Sequence, residues 1–165
     1  MDGRASGKTH KRRGRPGVRD ELRLLVDRPA QLASFRRRAR ALLSEHGLDE
    51  EERESVVLAA AEALNNALAA CTGDLCRIEV IISLVGDFVC VEVRDTDEGF
   101  RGVCLDLTGL PAADAEHGRG LYLMRTIMES LEMVPCKRGT LVRMVKRLEA
   151  RERRDAPNGG ERPAA

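Results

Sequence analysis

The sequence has 165 residues, with 28 Lys and Arg against 27 Asp and Glu, and its aromatic residues are three Phe, one Tyr and no Trp. A chain of this length can bury one core, and its near balance of charge excludes a protein that binds polyanions with its whole surface. The scarcity of aromatic rings excludes a stacking platform for single-stranded nucleic acid.

Cysteines and apolar stretches bear on the cellular compartment. The five cysteines include no Cys-x-x-Cys pair; they stand at positions 71, 76, 90, 104 and 136. We expect reduced thiols in a cytoplasmic protein, and neither a zinc site nor a disulfide framework. The longest apolar stretch, residues 56–70, is too short and too polar to span a bilayer, so no membrane association is predicted.

Both ends of the chain are too polar to join a core. Residues 1–17 contain six Lys or Arg and four Gly, and residues 149–165 are equally poor in apolar side chains. We expect a disordered basic arm, a single domain over residues 18–148 and a disordered tail. The segment GRASGKT at residues 3–9 is similar to a P-loop, but it is one residue too short between its glycines and follows no strand, so we attribute it to chance.

The first half of the domain is predicted to be a strand and two helices. The strand covers residues 21–27, and a helix begins at Pro29 and is closed by Gly47. Asp49 caps a second helix that runs to about Cys71, with three Glu in its first turn, where the helix dipole favours negative charge.

Four arginines lie close together in the first helix, at positions 36, 37, 38 and 40. Such a cluster is most often a solvated helix face. Nucleic-acid binding through this cluster and the basic arm is an alternative that only the charge supports, and we do not expect it.

The second half is predicted to contain a β-hairpin, a long loop, a helix and a last strand. The hairpin joins strands at residues 77–85 and 88–95 through a two-residue turn, and residues 101–117 form the loop. Residues 139–148 form the last strand. The helix covers residues 118–131, with four apolar residues on one face: Leu121, Met124, Met128 and Leu131. These elements predict an α+β fold, a two-layer sandwich whose mixed, mostly antiparallel sheet is covered on one face by helices.

Glu62 is the single ionisable residue in the apolar stretch 56–70. A lone carboxylate is costly there, and Asn66 lies one helical turn further on the same face. Together they offer a base and a neutral oxygen ligand suited to Mg²⁺. The structural alternative is that Glu62 reaches solvent at the sheet edge while Asn65 or Asn66 satisfies a backbone group.

The strand at residues 88–95 ends in an unusual acidic segment. Asp95, Asp97 and Glu98 fall within four positions and repel one another, which indicates that a carboxylate has a function there. Further along, Gly118 and Gly120 provide only the first two glycines of a dinucleotide-binding fingerprint, and a loop precedes them, so we do not expect a Rossmann site.

Four segments occur in an informative order: EALNNA at residues 62–67, DTDEGF at 95–100, GRGL at 118–121, and the Gly-Thr pair at 139–140. The set resembles the N, G1 and G2 boxes and the final Gly-Thr pair of the Bergerat-fold ATPases, which include gyrase, Hsp90, MutL and the histidine kinases. Over residues 18–148 the chain is most similar to the anti-sigma factor serine kinases.

This resemblance implies ATP and Mg²⁺ as cofactors, with Glu62 as the general base and Asn66 as the magnesium ligand. Asp95 is the implied acceptor for the adenine amino group, and residues 101–117 form the implied ATP lid. Further implied nucleotide contacts are Asp97, Gly99, Gly118, Arg119, Gly120, Leu121 and Thr140. The implied activity is phosphorylation of a serine in a STAS-type antagonist by a cytoplasmic kinase that also binds a sigma factor and pairs with a second copy of itself.

The G1 segment departs from the family pattern. That pattern is Asp-x-Gly-x-Gly, whereas this chain has Asp97 at the first glycine and retains only Gly99. The resemblance therefore implies a charged side chain at the position where the adenine should approach the backbone. The alternative function is therefore a non-catalytic partner-binding module that keeps the fold and binds nucleotide weakly.

We predict that Asp97→Gly tightens ATP binding, because it removes a carboxylate from the position at which the family has no side chain. Isothermal titration of both proteins with ATP and Mg²⁺ measures the change. An unaltered dissociation constant would show that the Asp97 side chain points away from the nucleotide.

Overall fold

The structure is a computed structural model that describes residues 17–71, 77–95, 119–136 and 139–148. The chain begins with strand β1 (Val18–Val26), a 3-10 turn (Pro29–Gln31) and helices α1 (Leu32–Glu45) and α2 (Glu50–Ala70). Strands β2 (Ile78–Val85) and β3 (Phe88–Asp95) come next. They are followed by α3 (Arg119–Ile127), β4 (Ser130–Pro135) and β5 (Thr140–Arg147).

The five strands form one sheet in the order β1-β2-β3-β5-β4, and each pair of neighbours is antiparallel. Side chains alternate between the two faces, and Val89, Val91 and Val93 of β3 are buried with the helices in one core. Helix α2 is central in the helical layer, since it packs against α1, α3, β2 and β3. The predicted α+β two-layer sandwich is confirmed.

The ends of the first two helices follow the predicted signals. Gly47 has a φ of +77° just after α1, and the amide of Leu48 donates to the carbonyl of Leu43 at 3.2 Å, as in a Schellman motif. At the start of α2, the Asp49 carboxylate accepts a hydrogen bond from the amide of Glu52 at 2.8 Å. The short connection between α1 and α2 is thus fixed at both of its ends.

One arginine of the α1 cluster links the two helices. Arg40 donates through Nε and a terminal nitrogen to the two carboxylate oxygens of Glu54 on α2, each at 2.7 Å. This hydrogen bonding holds the pKa of Glu54 below its usual value. Both side chains are largely exposed, so the pair orients α1 on α2 more than it stabilises the fold.

The prediction of one helix over residues 118–131 is wrong at its C-terminal end. Helix α3 stops at Ile127, and residues from Ser130 onward form the edge strand β4, which was not predicted. Leu131 and Met133 pair with Met144 and Val142 of β5. The spacing of apolar residues fits a helix that continues to Leu131. The inward-facing residues of β4 also alternate with period two, which fits a strand, and pairing with β5 makes the segment a strand.

Two expectations about the chain's environment have different outcomes. The expectation of reduced thiols is wrong at Cys71, which is disulfide-bonded, whereas Cys90 and Cys136 form no disulfide. The number and spacing of cysteines do not decide pairing, because the bond requires only that the fold bring two Cα atoms to about 5.5 Å. No helix in the described part of the chain is long and apolar enough to cross a membrane.

We predict that Met144→Ala lowers the free energy of unfolding by about 2–5 kcal/mol, because Met144 is fully buried beneath the helices and its loss leaves a cavity. Val134→Ala on the neighbouring edge strand is the control, since Val134 is 40% exposed, and its cost is about 0.5 kcal/mol. Urea denaturation measures both. Equal losses would contradict the placement of Met144 in the core.

Candidate functional site

Glu62 and Asn66 lie one turn apart on the C-terminal half of α2. Around them the helix is buried, with Ala59, Ala63 and Leu64 at most 1% exposed, but Glu62 itself is half-buried and Asn66 is exposed. Among the described residues, none forms a hydrogen bond or ion pair with the Glu62 carboxylate. The Glu62 side chain is therefore available to accept a proton or a hydrogen bond from a bound molecule.

The first turn of α3 lies directly against this pair. A Cβ atom built on Gly120 would be 2.8 Å from Oε2 of Glu62 and 3.5 Å from Nδ2 of Asn66. The fold thus brings together two segments that are more than fifty residues apart in the chain, and it places the start of a helix beside a carboxylate and an amide. Backbone amides at a helix start have no intrahelical acceptor and favour anionic ligands.

Asp95 and Thr140 are buried polar residues at the same end of the sheet. Asp95, 4% exposed, is the last residue of β3, and Thr140, 8% exposed, is the first of β5. The β3–β5 ladder pairs Arg94 with Leu141, so Asp95 and Thr140 occupy the next register position. Asp95 shares the sheet face of Val91 and Val93, which is the face that the helices cover.

A contact at the opposite end of the sheet locates the N-terminal part of α2. Lys146, which is six residues from Thr140 along β5, donates from Nζ to the Ser55 hydroxyl at 3.4 Å. Thr140 is then ~20 Å from Lys146, and Asn66 is ~16 Å beyond Ser55 along the helix axis. The buried stretch of α2 from Val56 to Leu64 therefore begins near the end of β5 that is opposite to Thr140.

The possible metal ligands here are few. The described residues contain no group of three or more His, Cys, Asp or Glu side chains that could hold a metal ion. Asn66 offers one exposed amide oxygen beside the Glu62 carboxylate. This small oxygen set suits Mg²⁺, which keeps most of its waters and takes further ligands from substrate phosphates.

The structure places some of the predicted site residues and not others. Gly120 lies beside the side chains of Glu62 and Asn66, and Asp95 and Thr140 are adjacent in register. Arg119 is exposed at the start of α3, and Leu121 is half-buried against the core. Asp97, Gly99, Gly118 and the predicted lid at residues 101–117 lie outside the described residues. The sequence indicated Gly120 but not its contact with Glu62, since the distance between two helices leaves no mark in either segment.

Comparison with solved structures finds a similar fold in the crystal structure of the RsbU and RsbW domains of Rv1364c from Mycobacterium tuberculosis. The TM-score is 0.60 at 20% sequence identity, over 78% of this chain. The match spans 32% of that protein's chain, so this chain corresponds to about one third of its length. No sequence match was found among curated proteins.

Residues 25–146 match the family model described as the histidine kinase-like ATPase domain. The matched segment is roughly three quarters of the chain and runs from the end of β1 to near the end of β5, so it contains every described site residue. The chain therefore belongs to the histidine kinase-like ATPase domain family.

Proposed function

We propose that this protein is an ATP-dependent serine kinase of the anti-sigma type. The contact between Gly120 and the Glu62–Asn66 pair carries the proposal, because it joins a base, an oxygen ligand and a helix start at one point. Phosphoryl transfer needs these groups side by side, since the reaction depends on positioning and on charge stabilisation. Family membership supports ATP as the nucleotide.

Asp95 and Thr140 hold the adenine end of the nucleotide in this proposal. A buried carboxylate at the end of β3 accepts a hydrogen bond from the exocyclic amino group, and the adjacent Thr140 hydroxyl forms part of the pocket floor. Gly118, Arg119, Gly120 and Leu121 lead into α3, whose first turn lies beside the phosphates. Asp97 and Gly99, which follow Asp95 in the sequence, are the further nucleotide contacts that the family pattern implies.

Glu62 acts as the general base. Its carboxylate accepts the proton of the substrate serine as the hydroxyl oxygen attacks the γ-phosphorus, and the bond from that phosphorus to the bridging oxygen of ADP breaks. Asn66 would hold Mg²⁺, which when bound neutralises charge on the phosphate oxygens. The half-buried position of Glu62 limits competition from water while leaving the carboxylate reachable.

The proposed partners are a STAS-domain protein that supplies the serine and a sigma factor that is bound or released according to its phosphorylation. The RsbU and RsbW domains occur together in the Rv1364c structure, which supports a place for this fold in partner switching. We further propose that the protein acts in the cytoplasm and forms a homodimer.

A non-catalytic partner-binding module is the second candidate function. Asp97 favours it, because a carboxylate stands at the first glycine of the G1 pattern. This candidate keeps the same sheet and helices, and it differs from the first in nucleotide affinity and in the absence of phosphoryl transfer.

We predict that the protein binds ATP with Mg²⁺ and that Asp95→Asn weakens this binding by about 1.5–3 kcal/mol, since it removes a charged hydrogen-bond acceptor. Asp87→Asn, in the exposed turn at the other end of β3, is the matched control and should bind as the wild type does. Isothermal titration measures all three proteins. If the wild type shows no heat with millimolar ATP, the partner-binding candidate prevails.

We predict that Glu62→Gln preserves ATP binding but lowers phosphoryl transfer roughly 10²- to 10⁴-fold, because the amide keeps the shape of the side chain and loses its basicity. Glu51→Gln makes the same chemical change in the exposed first turn of α2 and should leave transfer unchanged. The assay follows labelled ATP onto STAS-domain proteins of the same genome, and the modified residue is mapped. Undiminished transfer by Glu62→Gln would remove Glu62 from the role of base.

We predict that Asn66→Ala impairs both ATP binding and transfer, and that raising the Mg²⁺ concentration restores part of the loss, because the substitution removes a metal ligand. Asn65→Ala is the matched control, since the side chain of Asn65 points about 100° away from that of Asn66 around the helix. The Mg²⁺ dependence of transfer by this variant should equal that of the wild type. Titrations of transfer rate against Mg²⁺ compare the two variants. Identical Mg²⁺ curves for Asn66→Ala and the wild type would contradict the assignment of the ligand.

A further inference from the structure

Gly120 stands where the first turn of α3 crosses α2. The Cβ atom of any other residue would lie 2.8 Å from Oε2 of Glu62, a separation that Cβ atoms essentially never show from another heavy atom. The same Cβ would be 3.5 Å from Nδ2 and 3.8 Å from Oδ1 of Asn66. The space that a methyl group would fill is therefore bordered by the Glu62 carboxylate on one side and the Asn66 amide on the other.

The backbone gives no separate reason for glycine at this position. The described glycines with positive φ are Gly17, Gly47, Gly86 and Gly139, so the backbone at Gly120 is one that an alanine can adopt. Alanine is also the better helix former, and glycine weakens a helix through its conformational freedom. The close approach to α2 is what distinguishes this site from an ordinary helical position.

The Glu62 carboxylate has little else to fix its position. Within the described part of the chain, no donor holds it by a hydrogen bond or an ion pair. Its location depends on the helix that carries it, on Asn66 one turn away and on the surface of α3 against which it rests. Of these three, the shape of the α3 surface beside Glu62 depends on the absence of a side chain at Gly120.

From this contact we infer that Gly120 is a positioning residue for Glu62. The inference rests on the proposed kinase function. The resemblance implies that Gly120 contacts the phosphates, and the inference adds that Gly120 also determines where the Glu62 carboxylate lies. Because Gly120 has no side chain, the carboxylate can lie against α3, in the position from which it deprotonates the serine hydroxyl. A methyl group there pushes Oε2 away while leaving the backbone of α3 in place.

The test compares Gly120→Ala, Glu62→Asp and the double variant in the full-length protein. We expect Gly120→Ala to lower kcat about 10- to 100-fold, since a displacement of about 1 Å in a reacting group can cost this much, with KM for ATP changed by less than about twofold. Glu62→Asp withdraws the carboxylate by one methylene and lowers kcat as well. In the double variant the shorter side chain leaves room for the methyl group. Its kcat should therefore be at least about tenfold higher than the value expected if the two single reductions in kcat multiplied.

Two kinetic outcomes would overturn the inference. One is a rise in KM for ATP with unaltered kcat in Gly120→Ala, which is the signature of a residue that acts only on the phosphates. The other is simple multiplication of the two single effects in the double variant. Thr126→Ala is the control on α3, because its exposed hydroxyl donates to the Tyr122 carbonyl of its own helix and to no other described residue. Its kcat should equal that of the wild type.

A second measurement does not depend on kinase activity. The carboxyl carbon of Glu62 is observed by NMR in the nucleotide-free protein and is assigned through its loss in Glu62→Gln. Gly120→Ala should displace this resonance by more than Thr126→Ala does, with the circular dichroism spectrum unchanged. An undisplaced resonance overturns the positioning role, whereas a displaced resonance in a protein that transfers no phosphate sustains the contact and refutes only the proposed function.

Discussion

Small side chains along α2 control how close the other elements come to it. Four alanines between positions 59 and 63 are almost completely buried, together with Val56, Val57 and Leu64. A helix that is buried on so much of its surface must touch several neighbours at once, and α2 packs against α1, α3 and the two central strands. Because an alanine extends only one carbon from the backbone, these neighbours approach α2 closely, and a single polar side chain in this region acquires well-defined surroundings. Glu62 is that side chain, so the arrangement of the site depends on the packing of α2.

The polar residues of the site lie on two separate parts of the fold. Glu62, Asn66 and Gly120 belong to the crossing of α2 and α3, whereas Asp95 and Thr140 belong to the ends of β3 and β5. The Ser55–Lys146 contact holds the N-terminal part of α2 at the far end of the sheet. A ligand with an adenine at one end and phosphates at the other would be held by the strands at one point and by the helices at another. The proposed base is thereby attached to the helical layer and the proposed adenine acceptor to the sheet.

The elements that could be predicted from the sequence are those with signals inside their own segment. Asp49 and Gly47 set the ends of two helices, and Gly86 with Asp87 marked the hairpin turn, where Gly86 has a φ of +58°. Strand β4 could not be predicted in this way, because Leu131 and Met133 become strand residues only through their pairing with β5. The site shows the same division. The i, i+4 spacing of Glu62 and Asn66 is a local property, but the approach of Gly120 to both depends on two helices meeting in space.

The separation of the helix-crossing residues from the strand-end residues shows how the two candidate functions are related. The core that holds the fold consists of apolar residues on the three helices and the inner face of the sheet, and neither Glu62 nor Asn66 is part of it. Under the proposed function, a change at either residue would remove chemistry while leaving the packing of α2 intact. A change near the end of β3 would then alter nucleotide binding without touching the helix crossing. Catalysis, nucleotide affinity and the partner-binding surface can therefore be lost one at a time in this fold. A partner-binding module is what remains when the first two are gone, so the two candidates differ by a few side chains on one scaffold, and the state of Asp97 and Glu62 decides between them.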